Sequence, residues 1–156
     1  MGPPQASGGS GAEGPPRLKM PSEYRMKRRV QFYETDMAGI VHFSWFFRYL
    51  EEAEHAMWRQ AGLSVADGSG IGWPRVAASF EFYRPLRFED EFDVHLRIVG
   101  KDARTIRYEG AIRMGETHIA TGTIVVKCVS KRPGEPMRSI DIPPEIDALF
   151  QVAPGA

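Results

Sequence analysis

One apolar stripe at helical spacing, set among segments that alternate, limits the architectures open to this chain. Phe46, Leu50, Ala53, Met57 and Ala61 recur every three or four residues, which puts them on one side of a helix. The spacing predicts a helix over Trp45 to Ala61, with Ser44 as its N-cap and Gly62 at the left-handed position that ends it. Ahead of it, Tyr24, Met26, Val30 and Phe32 share a face at period two, with Arg28 the exception among them. A turn follows at Met37-Ala38-Gly39. Beyond a Gly-rich loop (Asp67 to Gly72) come four strand-like segments. Val76, Ala78, Phe80 and Phe82 alternate in the first, Phe92, Val94, Leu96 and Ile98 in the second, and Ile106, Tyr108, Gly110 and Ile112 in the third. The fourth runs from about Thr117 to Val129 and is rich in Thr, Ile and Val. Gly100-Lys101-Asp102 and Gly115-Glu116 are turn signals between neighbours, and Pro143 to Phe150 reads as a short terminal helix. This order predicts an α+β domain: a largely antiparallel five-stranded sheet wrapped around one long helix.

Composition narrows the function classes. At 156 residues, with 42% apolar and 26% charged, the chain has the make-up of one soluble domain with a real core. Twenty Lys plus Arg balance twenty Asp plus Glu, so the basic excess of a nucleic-acid binder is missing. Cys128 is the only cysteine, which rules out an intrachain disulfide and a cysteine-rich metal site. No apolar run reaches the roughly 18–20 residues that span a bilayer. Met1 to Pro16 has no apolar centre that would make it a secretory signal, so a cytoplasmic location is expected. Nine of those sixteen residues are Gly or Pro, which predicts a disordered tail over residues 1–20 and a folded domain over 21–156.

Chemistry concentrates between Phe32 and Phe46. There a carboxylate, Asp36, ends a strand, Gly39 makes a turn, and a helix begins a few residues later. Backbone N–H groups at a helix start lack intrahelical partners and lie at the positive end of its dipole. They could hold the oxyanion of an ester or thioester carbonyl while Asp36 attacks or activates water. The plainer reading of Asp36, as a solvated or capping residue, fits the spacing equally well. Asp36, His42 and Ser44 have the residue types of a hydrolytic triad, but no G-x-S-x-G elbow exposes the serine. His42 and His55 have no H-E-x-x-H pairing, which argues against a metal. Glu51, Glu52 and Glu54 read either as a solvated helix face or as a second source of a catalytic acid.

The run Tyr33-Glu34-Thr35-Asp36-Met37-Ala38-Gly39-Ile40-Val41-His42-Phe43, followed by Phe47-Arg48-Tyr49-Leu50-Glu51-Glu52-Ala53, resembles the signature of the 4-hydroxybenzoyl-CoA thioesterase family, and the YbgC-like acyl-CoA thioesterases in particular. The strand–helix–four-strand order is similar to that family's hotdog fold over about Tyr24 to Ser130. The resemblance implies a single hotdog domain that hydrolyses acyl-CoA thioesters without a metal or redox cofactor. It places Asp36 on the catalytic aspartate, Gly39 on the turn glycine, and Phe43 on the residue whose backbone N–H faces the thioester carbonyl. The chain departs from the pattern at His42, commonly Tyr or Trp, and at Phe43, often His or Tyr. The Phe43 backbone donor survives that change. Candidate substrate-binding residues are His42, Trp45, Tyr49 and Glu51. Basic groups at Arg25, Lys27, Arg28, Arg29, Arg84, Arg87, Lys127, Lys131 and Arg132 suit coenzyme A phosphates or a plain solvent face. The family pairs edge strands into a homodimer, often a homotetramer, with the active site at the interface. The alternatives are an acyl-carrier-protein thioesterase and a non-catalytic hotdog module that binds acyl thioesters. A pure binder has no need of a carboxylate at Asp36.

Overall fold

Period-two burial runs through the central strands, broken only where Ile119 and Ala120 are both buried beside an irregularity in the β5–β6 pairing. In β4 (Glu91–Lys101), Phe92, Val94, Leu96 and Ile98 are buried and the residues between them face outward. β5 (Thr105–Met114) and β6 (Thr117–Lys127) repeat the pattern with Ile106, Tyr108 and Ile112, then with Ala120, Ile124 and Val126. With β1 (Glu23–Arg29) and β3 (Arg75–Phe82) they form one antiparallel sheet in the order β1-β4-β5-β6-β3. The computed structural model describes residues 21–156, so the expected tail over residues 1–20 lies outside the described residues. The α+β architecture, one long helix held in a five-stranded antiparallel sheet, is the one expected.

The helix α1 (Ser44–Gln60) packs its apolar stripe onto the inner face of the sheet, burying Phe46, Tyr49, Leu50, Ala53, Met57 and Trp58. Two glycines allow the close approach. Gly110 and Gly122 face each other across β5 and β6. A Cβ on Gly110 would lie 2.2 Å from Leu50 Cδ2, and one on Gly122 would lie 2.4 Å from the Phe80 ring. Side chains larger than hydrogen at these positions would push the helix and Phe80 off the sheet. At the helix C-terminus Gly62 has φ +79°, the left-handed conformation expected of it.

Several details differ from the sequence reading. β1 stops at Arg29, and Phe32 opens a single 3-10 turn, Phe32–Glu34, with its ring 75% exposed. Ser44 is the first helical residue and not the N-cap, which is Phe43. The reason is His42, whose Nδ1 accepts the Ser44 N–H at 3.3 Å and lies 2.7 Å from the Ser44 hydroxyl. A small second sheet of two-residue strands, β2 (Ile71–Gly72), β7 (Val129–Ser130) and β8 (Arg138–Ser139), was not anticipated. The terminal helix α2 is only Pro144–Asp147.

After α2 the chain closes the core from the far end. Phe150 packs its ring 4.9 Å from that of Trp58, whose other side meets Trp73. The Trp58 indole N–H donates to the Tyr108 hydroxyl at 3.0 Å. Lys101 Nζ donates to the Asp147 and Phe150 carbonyls and pairs with the Asp147 carboxylate. The Ala153 N–H then donates to Ile98 O. Among the described residues no helix is long and apolar enough to cross a membrane.

Candidate active site

Between the 3-10 turn and α1 the chain folds back on itself. The Thr35–Val41 bridge closes a loop, inside which the Asp36 N–H donates to Ile40 O and the Gly39 N–H to Asp36 O, both at 2.9 Å. Gly39 adopts φ +77°, a conformation that L side chains disfavour. Asp36 Oδ1 accepts the Ala38 N–H at 2.9 Å, which steadies the side chain and leaves Oδ2 facing solvent or a ligand. From His42 the chain turns into the helix. The N–H groups of His42, Ser44, Trp45 and Phe46 all have acceptors, while the Phe43 N–H has none among the described residues.

Asp36 and Phe43 line one cavity of about 510 Å³, together with Ile40, Val41, Phe46, Phe82, Tyr83, Arg84 and Pro85. Apart from Asp36 and Arg84, the walls are aliphatic or aromatic. The Tyr83 hydroxyl donates to Glu81 at 2.7 Å, and this bond, more than burial, raises the phenol above its ordinary range. Carboxylate, unpaired N–H donor and apolar walls are what a nucleophilic or base-assisted attack on an activated carbonyl requires.

The other candidates stand apart from this cavity. Gly39 shapes the turn without lining it. His42 turns back on Ser44, and Ser44 lines a different cavity, so the Ser-His contact does not extend to Asp36. Trp45 packs between Tyr33 and Tyr49. Tyr49 is fully buried, and its hydroxyl donates to Glu34 at 3.0 Å. Burial, then the Glu34 charge, pushes its phenol well above the usual range. Glu51 lies with Ser44, Phe47, Arg48, Arg75, Ala78 and Ile124 around a second cavity of about 520 Å³. The described residues hold no cluster of three His, Cys, Asp or Glu side chains able to ligate a metal.

Phe82, Tyr83 and Pro85 were not expected as a wall of the site, and Arg84 was read only as a phosphate-binding or solvent-facing charge. Alternation marks Phe80 and Phe82 alike as inward-facing, and it cannot tell a residue that meets the helix from one that meets a cavity. The signal that was available is Arg28, a charge on the apolar face of β1. It is explained by two carboxylates: Arg28 donates to Glu34 Oε1 at 2.7 Å and to Glu52 Oε2 at 2.6 Å. Burial opposes its charge, but these bonds prevail and raise the guanidinium further.

Known proteins share this fold and family. A putative esterase of Aquifex aeolicus is 46% identical over 81 residues, a stretch spanning 51% of this chain and 62%, less than two thirds, of the esterase. A 1,4-dihydroxy-2-naphthoyl-CoA hydrolase of Synechococcus elongatus is 24% identical over 119 residues, covering 71% of this chain and 85% of that one. Among solved structures, a protein of Aquifex aeolicus superposes with a TM-score of 0.76 at 29% identity, over 82% of this chain and 99% of its own. A 4-hydroxybenzoyl-CoA thioesterase mutant in complex with 4-hydroxybenzoyl-CoA shares the fold, with a TM-score of 0.72 at 20% identity over 83% of this chain and 99% of that one. The family model described as the thioesterase-like superfamily matches residues 30–150, spanning the Asp36 loop, α1 and every strand after it. With fold, element order and family model in agreement, the chain belongs to the thioesterase-like superfamily.

Proposed function

We propose that this protein hydrolyses acyl-CoA thioesters to a free acid and coenzyme A. The observation that carries the reading is one cavity lined by both the Asp36 carboxylate and Phe43, whose N–H lacks an acceptor among the described residues. The thioester carbonyl accepts the Phe43 N–H, and its oxygen gains charge there as the tetrahedral intermediate forms. Asp36 either attacks the carbonyl carbon or takes a proton from the attacking water. In both routes the C–S bond breaks and the thiolate leaves as coenzyme A and takes up a proton; where Asp36 attacks, water then cleaves the acyl–aspartyl anhydride, which frees the acid and restores the Asp36 carboxylate. Ile40, Val41, Phe46, Phe82 and Pro85 give the acyl group an apolar seat.

The open edge of β3 supports a homo-oligomer. β1, the other edge of the sheet, carries Glu23, Arg25, Lys27 and Arg29 outward, a charged edge that resists pairing. β3 between Arg75 and Glu81 has no charge, and Val76 and Phe82 remain about half exposed. Antiparallel pairing of two β3 strands sets the Phe82 end of one, beside the Asp36 cavity, against the Arg75 end of the other. The partner subunit's Glu51 would then face the cavity.

A panel of acyl-CoA substrates, read by release of free thiol with Ellman's reagent, tests the activity. Turnover of at least one acyl-CoA, lost in Asp36→Asn with the fold retained, is the expected result. Full turnover in that variant removes Asp36 from the mechanism. Light scattering should give at least twice the 17.5 kDa of the monomer, and a clean monomer at working concentration removes the shared interface.

A further inference from the structure

Glu34 is fully buried and two residues from Asp36, and the reaction as described does not use it. Its carboxylate is tied in three directions. Oε1 accepts the Gln31 N–H at 2.8 Å, Arg28 Nη1 at 2.7 Å from β1, and the Tyr49 hydroxyl at 3.0 Å from the second turn of α1, while Oε2 pairs with Arg28 Nη2. Its main chain is tied as well, because Glu34 O accepts the His42 N–H at 2.9 Å. Asp36 follows Glu34 by two residues, and Phe43 follows His42 by one. Asp36 and Phe43, which both line the cavity, therefore hang from the same residue on opposite sides of the loop closed by Thr35 and Val41.

We propose that Glu34 is the positioning residue of the site: its buried carboxylate, clamped by Arg28 and Tyr49, fixes the Asp36 loop relative to the Phe43 N–H at the start of α1. This deepens the reading given under Proposed function and rests on it for its catalytic consequence. Two arguments support it. Replacing a buried ion pair by apolar side chains is often neutral or stabilising, so the pair is weak evidence of a stability device and its distinctive product is a fixed geometry. The clamp also reaches two elements that must stay in register for the chemistry, the helix through Tyr49 and the sheet through Arg28. Arg28 is itself held by Glu52 on α1 and lies over the Tyr49 ring, 4.6 Å from its centroid. The whole cluster is thereby tied to the helix.

The test pairs Glu34→Gln with Tyr49→Phe. The second variant removes one hydroxyl and strands no charge, so it keeps the inference falsifiable should the first fail to fold. Each is assayed for kcat and KM on benzoyl-CoA and, separately, for amide hydrogen exchange over residues 35–43. In Glu34→Gln, kcat should fall by about tenfold or more with KM within about twofold, since a small misplacement of reacting groups acts on the chemical step. Tyr49→Phe should show a loss of the same kind, about two- to fivefold. Exchange over 35–43 should quicken in both, while amides of β5 stay as they are. Unchanged kcat in folded variants overturns the proposal, and so does faster exchange spread evenly over the molecule, the mark of a merely structural role. If the wild-type protein leaves every thioester intact while exchange quickens only over 35–43, the hydrolase reading falls and the anchoring by Glu34 stands. If exchange there is unaltered, the anchoring falls whatever the activity.

Discussion

The two ends of α1 carry the same kind of apolar stripe and meet different fates. At the C-terminal end Trp58 is 1% exposed, enclosed by Trp73, Phe150 and a hydrogen bond to Tyr108, and Gly62 turns the chain away. At the N-terminal end Phe43 is 61% exposed, its N–H has no acceptor among the described residues, and Phe46 and Phe82 border a cavity. The covering segment makes the difference: residues after α2 fold back over one end, whereas at the other β3 buries Phe46 and leaves Phe43 exposed. Each half of the helix also has a buried glutamate met by an arginine from an edge strand. Glu34, beside the first half, is met by Arg28 of β1, and Glu54, in the second, by Arg75 of β3 at 2.8 Å. Under the proposed function, one helix thus acts as core where it is sealed and as scaffold for the site where it is left open.

That contrast breaks down if damage to the sealed end spoils chemistry, or if damage to the open end unfolds the protein. Trp58→Ala should cost about 3–5 kcal/mol of stability, the range for truncating a buried aromatic, with kcat preserved well below the new Tm. Denaturant melts and turnover on the same sample check it. Asp36→Ala should lower kcat by at least about 10²-fold, the lower end for a lost acid–base group. Its Tm should barely move, because the side chain is exposed and serves only its own turn. Between the two ends, Gly110→Ala forces Leu50 from the sheet and should cost about 1–3 kcal/mol, read as a lower denaturation midpoint. The smallest effect is expected of Glu51→Ala: less than about tenfold in kcat, below the usual range for a lost acid–base group, with the change mainly in KM or stability. Should Glu51→Ala be the inactive variant and Asp36→Ala the mild one, the acid comes from the helix and the assignment is reversed.

Much of the architecture was legible because it repeats. The stripe from Phe46 to Ala61 located α1 to within a residue at each end, and alternation along Phe92 to Ile98 gave β4 directly. The strands of the small second sheet are two residues long, too short for any periodicity, and they exist only because β7 continues the path of β6 past Cys128. In the loop, chain order offered Asp36 as a catalytic residue beside a solvated or capping one, and Phe43 was singled out only through the family resemblance. Trp45 and Tyr49 were harder, since aromatics four apart share a helix face whether that face meets a cavity or a buried glutamate. Arg28 was the most informative misfit, because an arginine on an apolar face requires a buried acid that no local pattern names.

The register of the sheet also sets the order in which the protein can be assembled. β1 pairs with β4, and the whole helix together with β3 lies between those partners in sequence. A ribosome therefore releases α1 before β4 and β5, which pack against its stripe, and before Phe150, which seals Trp58. Helix formation takes microseconds or less, whereas distant strand pairing must first bear the entropy of closing a long loop. The nascent chain consequently keeps the α1 stripe uncovered until its final strands emerge, the interval in which it is most open to self-association.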